Sequence, residues 1–242
     1  MLTILKKDLT DFFNSLVAYI TIGAFLLVTG LFLWVFPETS ILDYGYAGLE
    51  SLFNISPYIF MFLIPAITMR SLAEEKKEGT FELLATQPLS DWQIVIGKYL
   101  ACLLIVILAL LPTLIYYISV YQLGITMGNV DSGAVIGSYI GLLLLAGCFA
   151  AIGVFASSVS KNQIIAFTIA VFLSFFAFSG LDSISQLLSL QNFDTLITSF
   201  GINEHYQSIS RGVLDTRDLI FFLSFIGLFL LITKTVIGGR KW

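Results

Sequence analysis

Histidine is almost missing from this chain, and cysteine nearly so: one His, His205, and two Cys, Cys102 and Cys148, in 242 residues. Neither cysteine has a second Cys or a His at metal-binding spacing. That excludes a zinc site or disulfide framework as the organising element, and each cysteine reads as a small buried hydrophobe. There is no HExxH pair and no base near a serine in the apolar runs, which argues against metal- or serine-dependent intramembrane proteolysis. Adjacent Glu74 and Glu75 invite comparison with glutamate-based membrane proteases, yet the charge distribution puts His205 on the opposite side of the membrane, where it reads as a solvated loop residue. No GxxxxGK[ST] phosphate loop occurs, so any ATPase must be another polypeptide. Charge is scarce too, at 12% of residues against roughly 25% in a soluble domain. The apolar runs hold no deep carboxylate, His or Arg of the kind that ion-coupled transporters place at the bilayer midplane.

What is abundant is hydrocarbon. Hydrophobic residues make up 57% of the chain, 22 of them Phe, and mean hydropathy is +0.94. A surface built from this composition does not dissolve in water, so the expected fold is all-α, a polytopic integral membrane protein forming one domain over residues 1–242. Six apolar segments are long enough to cross about 30 Å of hydrocarbon: residues 16–36, 52–69, 99–123, 134–156, 164–181 and 219–237. Only the last carries a charge, Lys234, close enough to its end to snorkel. Lys6 and Lys7 precede the first run, but Asp8 and Asp11 intervene and the run is too long for a signal peptide's core, so it reads as uncleaved.

The connections sort by charge. Ten of the twelve Lys and Arg fall on the side that holds the N-terminus, residues 70–98, Lys161 and the C-terminal tail. The other side has only Arg211 and Arg217, together with Glu38, Asp43, Glu50 and Asp131. The positive-inside rule then makes both termini cytoplasmic. Membrane lipid is the expected surrounding partner, and nucleic acid is not one.

Leu2, Leu5, Leu9, Phe12 and Leu16 recur at helical spacing and predict an amphipathic helix over residues 1–15 in the inner headgroup layer, either a plain anchor or a surface that also meets a partner. Gly133, Gly137 and Gly141 recur at intervals of four and predict close helix packing around the fourth span. Pro65 and Pro112 are placed to kink the second and third spans. Residues 182–218 carry two apolar stripes, Leu181, Ile184, Leu187 and Leu188, then Phe193, Leu196, Ile197 and Phe200. They read as short helices dipping into the outer leaflet or re-entering it.

The longest cytoplasmic connection, residues 70–98, holds nine charged residues of mixed sign. Residues 70–78 read as a helical continuation of the second span, with Glu74 and Glu78 paired locally to Lys77 and Lys76. Gly79 is the stop, Thr80 the cap of a short helix bearing Phe81, Leu83 and Leu84, and Pro88 its end. Ser90-x-x-Gln93 reads as a capping box with Leu89 and Ile94 as its staple, and Ser160-x-x-Gln163 as a second one before the fifth span. The product is a rigid elbow, either a solvated loop or a docking knob.

The run Arg70-Ser-Leu-Ala-Glu-Glu-Lys-Lys-Glu-Gly-Thr-Phe-Glu-Leu-Leu84, followed by Gln87-Pro-Leu-Ser90 and Ile96-Gly-Lys98, resembles the signature of ABC-2 type transporter permeases. Ser210-Arg-Gly-Val-Leu-Asp-Thr-Arg-Asp-Leu219 and the terminal Arg240-Lys-Trp242 add to the likeness, which covers nearly the whole chain. Within that family the chain looks most like the gliding-motility-associated ABC transporter permeases of Bacteroidetes. The resemblance implies a bacterial inner-membrane export subunit with a coupling helix formed by Arg70, Glu74, Glu75, Lys76, Lys77, Glu78, Gly79 and Thr80, with Leu5, Leu9 and Phe12 contributing to the same interface. It implies an ABC ATPase subunit as partner, carrying ATP and Mg, and a second permease chain. Export and mechanical relay to an outer partner both remain open, and the residues Asp215 or Thr216 are placed to cap the last span.

Overall fold

The computed structural model describes residues 1–43, 48–124, 129–188 and 199–239. Helices alone account for its regular structure among those residues. An N-terminal helix α1 (Leu2–Phe13) precedes α2 (Leu16–Trp34) and α3 (Glu50–Thr68). Two short helices, α4 (Ala73–Glu78) and α5 (Thr80–Ala85), form the elbow. They lead into α6 (Asp91–Leu110), α7 (Leu114–Leu123), α8 (Ser132–Val159) and α9 (Gln163–Phe175). The chain closes with α10 (Leu181–Leu188), α11 (Ile202–Ile209) and α12 (Thr216–Gly238).

Among the described residues six helical segments are long and apolar enough to cross a membrane, as the hydropathy pattern requires. Their ends differ from the expected ones where capping overrides hydropathy. The third span starts at Asp91 rather than Tyr99, because Ser90 accepts from Gln93 N at 3.3 Å while the Gln93 side chain accepts from Ser90 N at 3.1 Å. The second expected box does not form. Asn162 caps α9 through Ile164 N at 2.9 Å, and Ser160 instead accepts from Asn162 N. Asp215, one of the two candidates, caps α12 through Arg217 N at 2.9 Å.

The two prolines act differently. Helix α3 stays continuous through Pro57 and Pro65. At Pro112, which lacks an N–H, the third span passes through a 3-10 segment at Leu111–Thr113, where the Thr113 hydroxyl donates to the Leu110 carbonyl at 2.7 Å. The fifth span passes through a π-turn at Phe176–Gly180. A Cβ on Gly180 would sit 2.8 Å from the Phe176 ring, so a larger residue there would have to displace that ring.

Helix α8 is the central post, touching α3, α6, α9, α11 and α12. Buried residues fill 78% of its membrane-spanning window, against 22% for the spans formed by α2, by α9 with its continuation, and by α12. Its small residues explain the difference. A Cβ at Gly137 would fall 2.7 Å from the Gly212 carbonyl oxygen, and one at Gly141 or Gly153 would collide with Ile209 or Thr68. Gly133 meets only Asp131, the cap of its own helix. The partners of this stripe are therefore α3, α11 and the turn after α11, within the same chain.

The segment between the fifth and sixth spans is more than a surface loop. Gly212 adopts φ 85°, the left-handed region, and presses its backbone onto Ala134 and Gly137 of α8. Ser138 donates to the Ser210 carbonyl at 2.8 Å, and Tyr206 to the Phe53 carbonyl at 2.7 Å. His205, expected in solvent, is held: Nδ1 lies 2.7 Å from Asp218 Oδ1, Nε2 lies 3.0 Å from the Ser199 carbonyl, and the ring stacks on Phe221. The first expected stripe falls on α10, and α11 follows the second one rather than coinciding with it. Phe193, Leu196 and Ile197, and the terminal Arg240, Lys241 and Trp242, lie outside the described residues.

Candidate functional site

The elbow is fastened to the bundle by polar contacts that pairing by sequence distance does not reveal. Helix α4 follows Leu72, whose side chain cannot cap it, so its first N–H groups need an acceptor from elsewhere in the fold. Ser157, near the end of α8, supplies it. Its hydroxyl oxygen accepts from Leu72 N and Ala73 N, both at 3.0 Å, and donates to the Met69 carbonyl at 3.1 Å. Lys76 donates to the Ser158 carbonyl and lies over the Phe81 ring at 5.5 Å.

Lys77 acts on Glu74 through its charge, as a local pair would, but the bonded contacts of this region reach further. Arg70 holds Glu74 through two parallel N–H donors at 2.9 and 2.8 Å, and donates at 2.7 Å to Ser15, the cap of α2. Glu75, the residue after Glu74, turns toward α1 and α6. Its Oε1 receives Lys7 of α1 at 2.9 Å and Lys98 of α6 at 2.8 Å. Lys98 also lies 3.2 Å from Asp8 of α1. Its side chain is 2% exposed, an ammonium tolerated inside a protein only because two carboxylates surround it.

Burial pushes the Asp8 carboxyl above its ordinary value, Glu75 adds to the rise, and Lys98 opposes it. For Lys7 burial pulls downward, but the hydrogen bond and charge of Glu75 outweigh it and hold the ammonium above its ordinary value. The cluster borders a cavity of about 430 Å³ between α1, the elbow and α6. Among the described residues no three His, Cys, Asp or Glu side chains are grouped to ligate a metal ion.

Gly79 joins α4 to α5 at φ 74°, left-handed as its glycine anticipates, with open space where a side chain would be. Thr80 does not cap α5 through its side chain. It lies inside the helix, and its hydroxyl points back to the Glu75 carbonyl at 3.4 Å. The residues implied as a coupling surface thus divide. Arg70, Glu74, Glu75 and Lys76 are bonded within the chain, whereas Lys77, Glu78 and Gly79 are exposed, as are Glu82 and Leu83, the last at 68%.

Helix α1 also presents an unexpected face. Ile4 and Phe12 are buried with the Asp8–Lys98 pair between them, while Leu5 and Leu9 are half-buried and Leu2 and Leu16 stand in the open. Asp8 and Lys98 were legible only as charges near a membrane surface. A signal existed for Lys98. Once Ser90 starts the helix, Lys98 shares a face with Ile94, Val95, Ala101 and Cys102, all buried.

Six apolar spans, one of them the small-residue post α8, with a charged elbow at one end, define a polytopic membrane protein. The chain belongs to a known family: residues 6–233 match the ABC-2 family transporter proteins, nearly the whole length. It is a membrane subunit of that ABC transporter class. Comparison with curated proteins returns no match.

Proposed function

We propose that this chain is the permease subunit of an ATP-binding cassette exporter, driven by a separate ATPase that seats on the exposed tip of the elbow around residues 77–83. The observation that carries the reading is the two-sidedness of the elbow. Its inner side is bonded to α1, to the cap of α2, to α6 and to α8. Its outer side offers Lys77, Glu82 and Leu83 with open space at Gly79. A push on that tip reaches the ends of three spans through contacts of 3.0 Å or less.

The ten basic residues at the elbow's side support a cytoplasmic location for that end and for both termini, and the likeness stated above supports a bacterial inner membrane. ATP and Mg belong to the partner. An ATPase pair has two docking clefts and this chain has one elbow, so a second permease chain, identical or related, completes the assembly. The likeness to gliding-motility permeases supports a role in that process. A mechanical relay to an outer partner is the second reading, favoured by the far end of α8, where Ser138 and Gly137 clamp the turn after α11 into a firm surface.

The test is detergent co-purification with a subunit identified by its phosphate-loop sequence. Wild type should retain it and Leu83→Asp should lose it without changing thermal stability. Full retention by Leu83→Asp overturns the docking surface. ATP-dependent loss of labelled solute from reconstituted vesicles then separates export from relay.

A further inference from the structure

The cavity at the root of the elbow has an unmet chemical demand. Five carboxylates line it against three cations, and every one of those cations is already engaged. Both lysines that reach Glu75 converge on Oε1, leaving Oε2 buried without a partner on a residue 9% exposed. Ser71 Oγ, on the same cavity wall, is likewise buried and unpartnered. Bare buried oxygens beside surplus negative charge call for a positively charged N–H donor.

Size and lining narrow the donor further. At about 430 Å³ the space would hold about a dozen waters, far more than a bare ion needs. Its floor is apolar and comes from the membrane-spanning helices: Ile67 of α3 and Ala101, Cys102 and Ile105 of α6. A charged rim over a hydrocarbon floor at the end of a bundle fits an amphiphile standing in the bilayer. We propose that this cavity binds the primary-ammonium headgroup of a phospholipid in the leaflet on the elbow's side, with the ammonium donating to Glu75 Oε2 and Ser71 Oγ. The inference rests on the membrane location of the chain and is independent of whether an ATPase docks on the tip.

Native mass spectrometry of the delipidated full chain in mixed micelles tests it, using phosphatidylethanolamine, phosphatidylcholine and phosphatidylglycerol with matched acyl chains. Phosphatidylcholine is the decisive control, since it has the same phosphate and formal charge but no N–H on its nitrogen. Phosphatidylethanolamine should be retained about tenfold over it, as expected for a hydrogen bond to a charged group. Ser71→Ala should cut that preference about threefold with an unchanged melting temperature, because the hydroxyl has no protein partner to lose. Glu75→Gln should abolish it. If Glu75→Gln does not fold, Ser71→Ala decides alone. Equal retention of the two lipids, or an undiminished preference in the variants that fold, overturns the proposal. Displacement of the lipid by free ethanolamine or phosphoethanolamine at matched concentration overturns the lipid as source and assigns the site to a soluble amine.

Discussion

Replacing Lys98 with methionine tests whether the buried cluster holds α1 to the bundle. The side chain is 2% exposed and bonds Glu75 at 2.8 Å and Asp8 at 3.2 Å. Methionine fills a similar volume, so the change removes charge rather than packing. Glu75 keeps Lys7 at 2.9 Å, but Asp8 has no other ion-pair partner among the described residues. Stripping one partner from a buried ion pair costs about 3–5 kcal/mol, because the remaining charge stays in low dielectric. Spread over a helix that can detach, 3 kcal/mol raises its opening constant about a hundredfold. Hydrogen–deuterium exchange at residues 2–13 should accelerate by that order, with α8 amides unaffected. Lys98→Met combined with Asp8→Asn should recover most of the loss, since a neutral pair leaves no stranded charge. Unchanged exchange of α1 in Lys98→Met would refute the reasoning.

Three further outcomes are expected. Ser157→Ala strips the acceptor from two buried backbone N–H groups, at Leu72 and Ala73, and should cost about 2–5 kcal/mol in detergent melts; a loss below about 0.5 kcal/mol would mean water replaces it. Gly79→Val should destabilise by about 1–2 kcal/mol through its left-handed backbone alone, since nothing lies within 4 Å of the new Cβ, whereas Gly79→Asn should be milder; equal melting of both variants would remove the strain argument. Asp8 titrates above its ordinary 3.8 because of burial, so the folded state binds its proton more tightly than the unfolded one. Its contribution is complete below 3.8 and lost as pH rises through the raised value. The protection of α1 should fall with pH across that window in wild type and stay flatter in Asp8→Asn, and parallel slopes would assign the effect to another carboxylate.

The fold's outline needed only local chemistry. Apolar runs of bilayer length, Ser90 and Gln93 as a box, Gly79 as a left-handed stop and the spacing of Gly137 and Gly141 are each decided by a few neighbouring residues, and each appears where those residues put it. Pairing between distant charges is another matter. Glu74 and Glu78 beside Lys76 and Lys77 look like self-sufficient helix pairs, yet Glu75 reaches residues 68 positions back and 23 forward, and Ser157 caps a helix 84 positions away.

What the sequence determined by itself is therefore the solvent of each segment: which stretches sit in hydrocarbon, which turn, and which side gathers positive charge. Transfer free energy and backbone propensity act residue by residue, and so they can be read residue by residue. Only the tertiary structure decided that Lys98 is an internal ion, that His205 is clamped to Asp218, and that four of the elbow's charges face inward while its tip stays bare. A buried charge takes whichever counter-charge the packed helices bring within about 3 Å, and that choice belongs to the packing of helices, which no local pattern encodes.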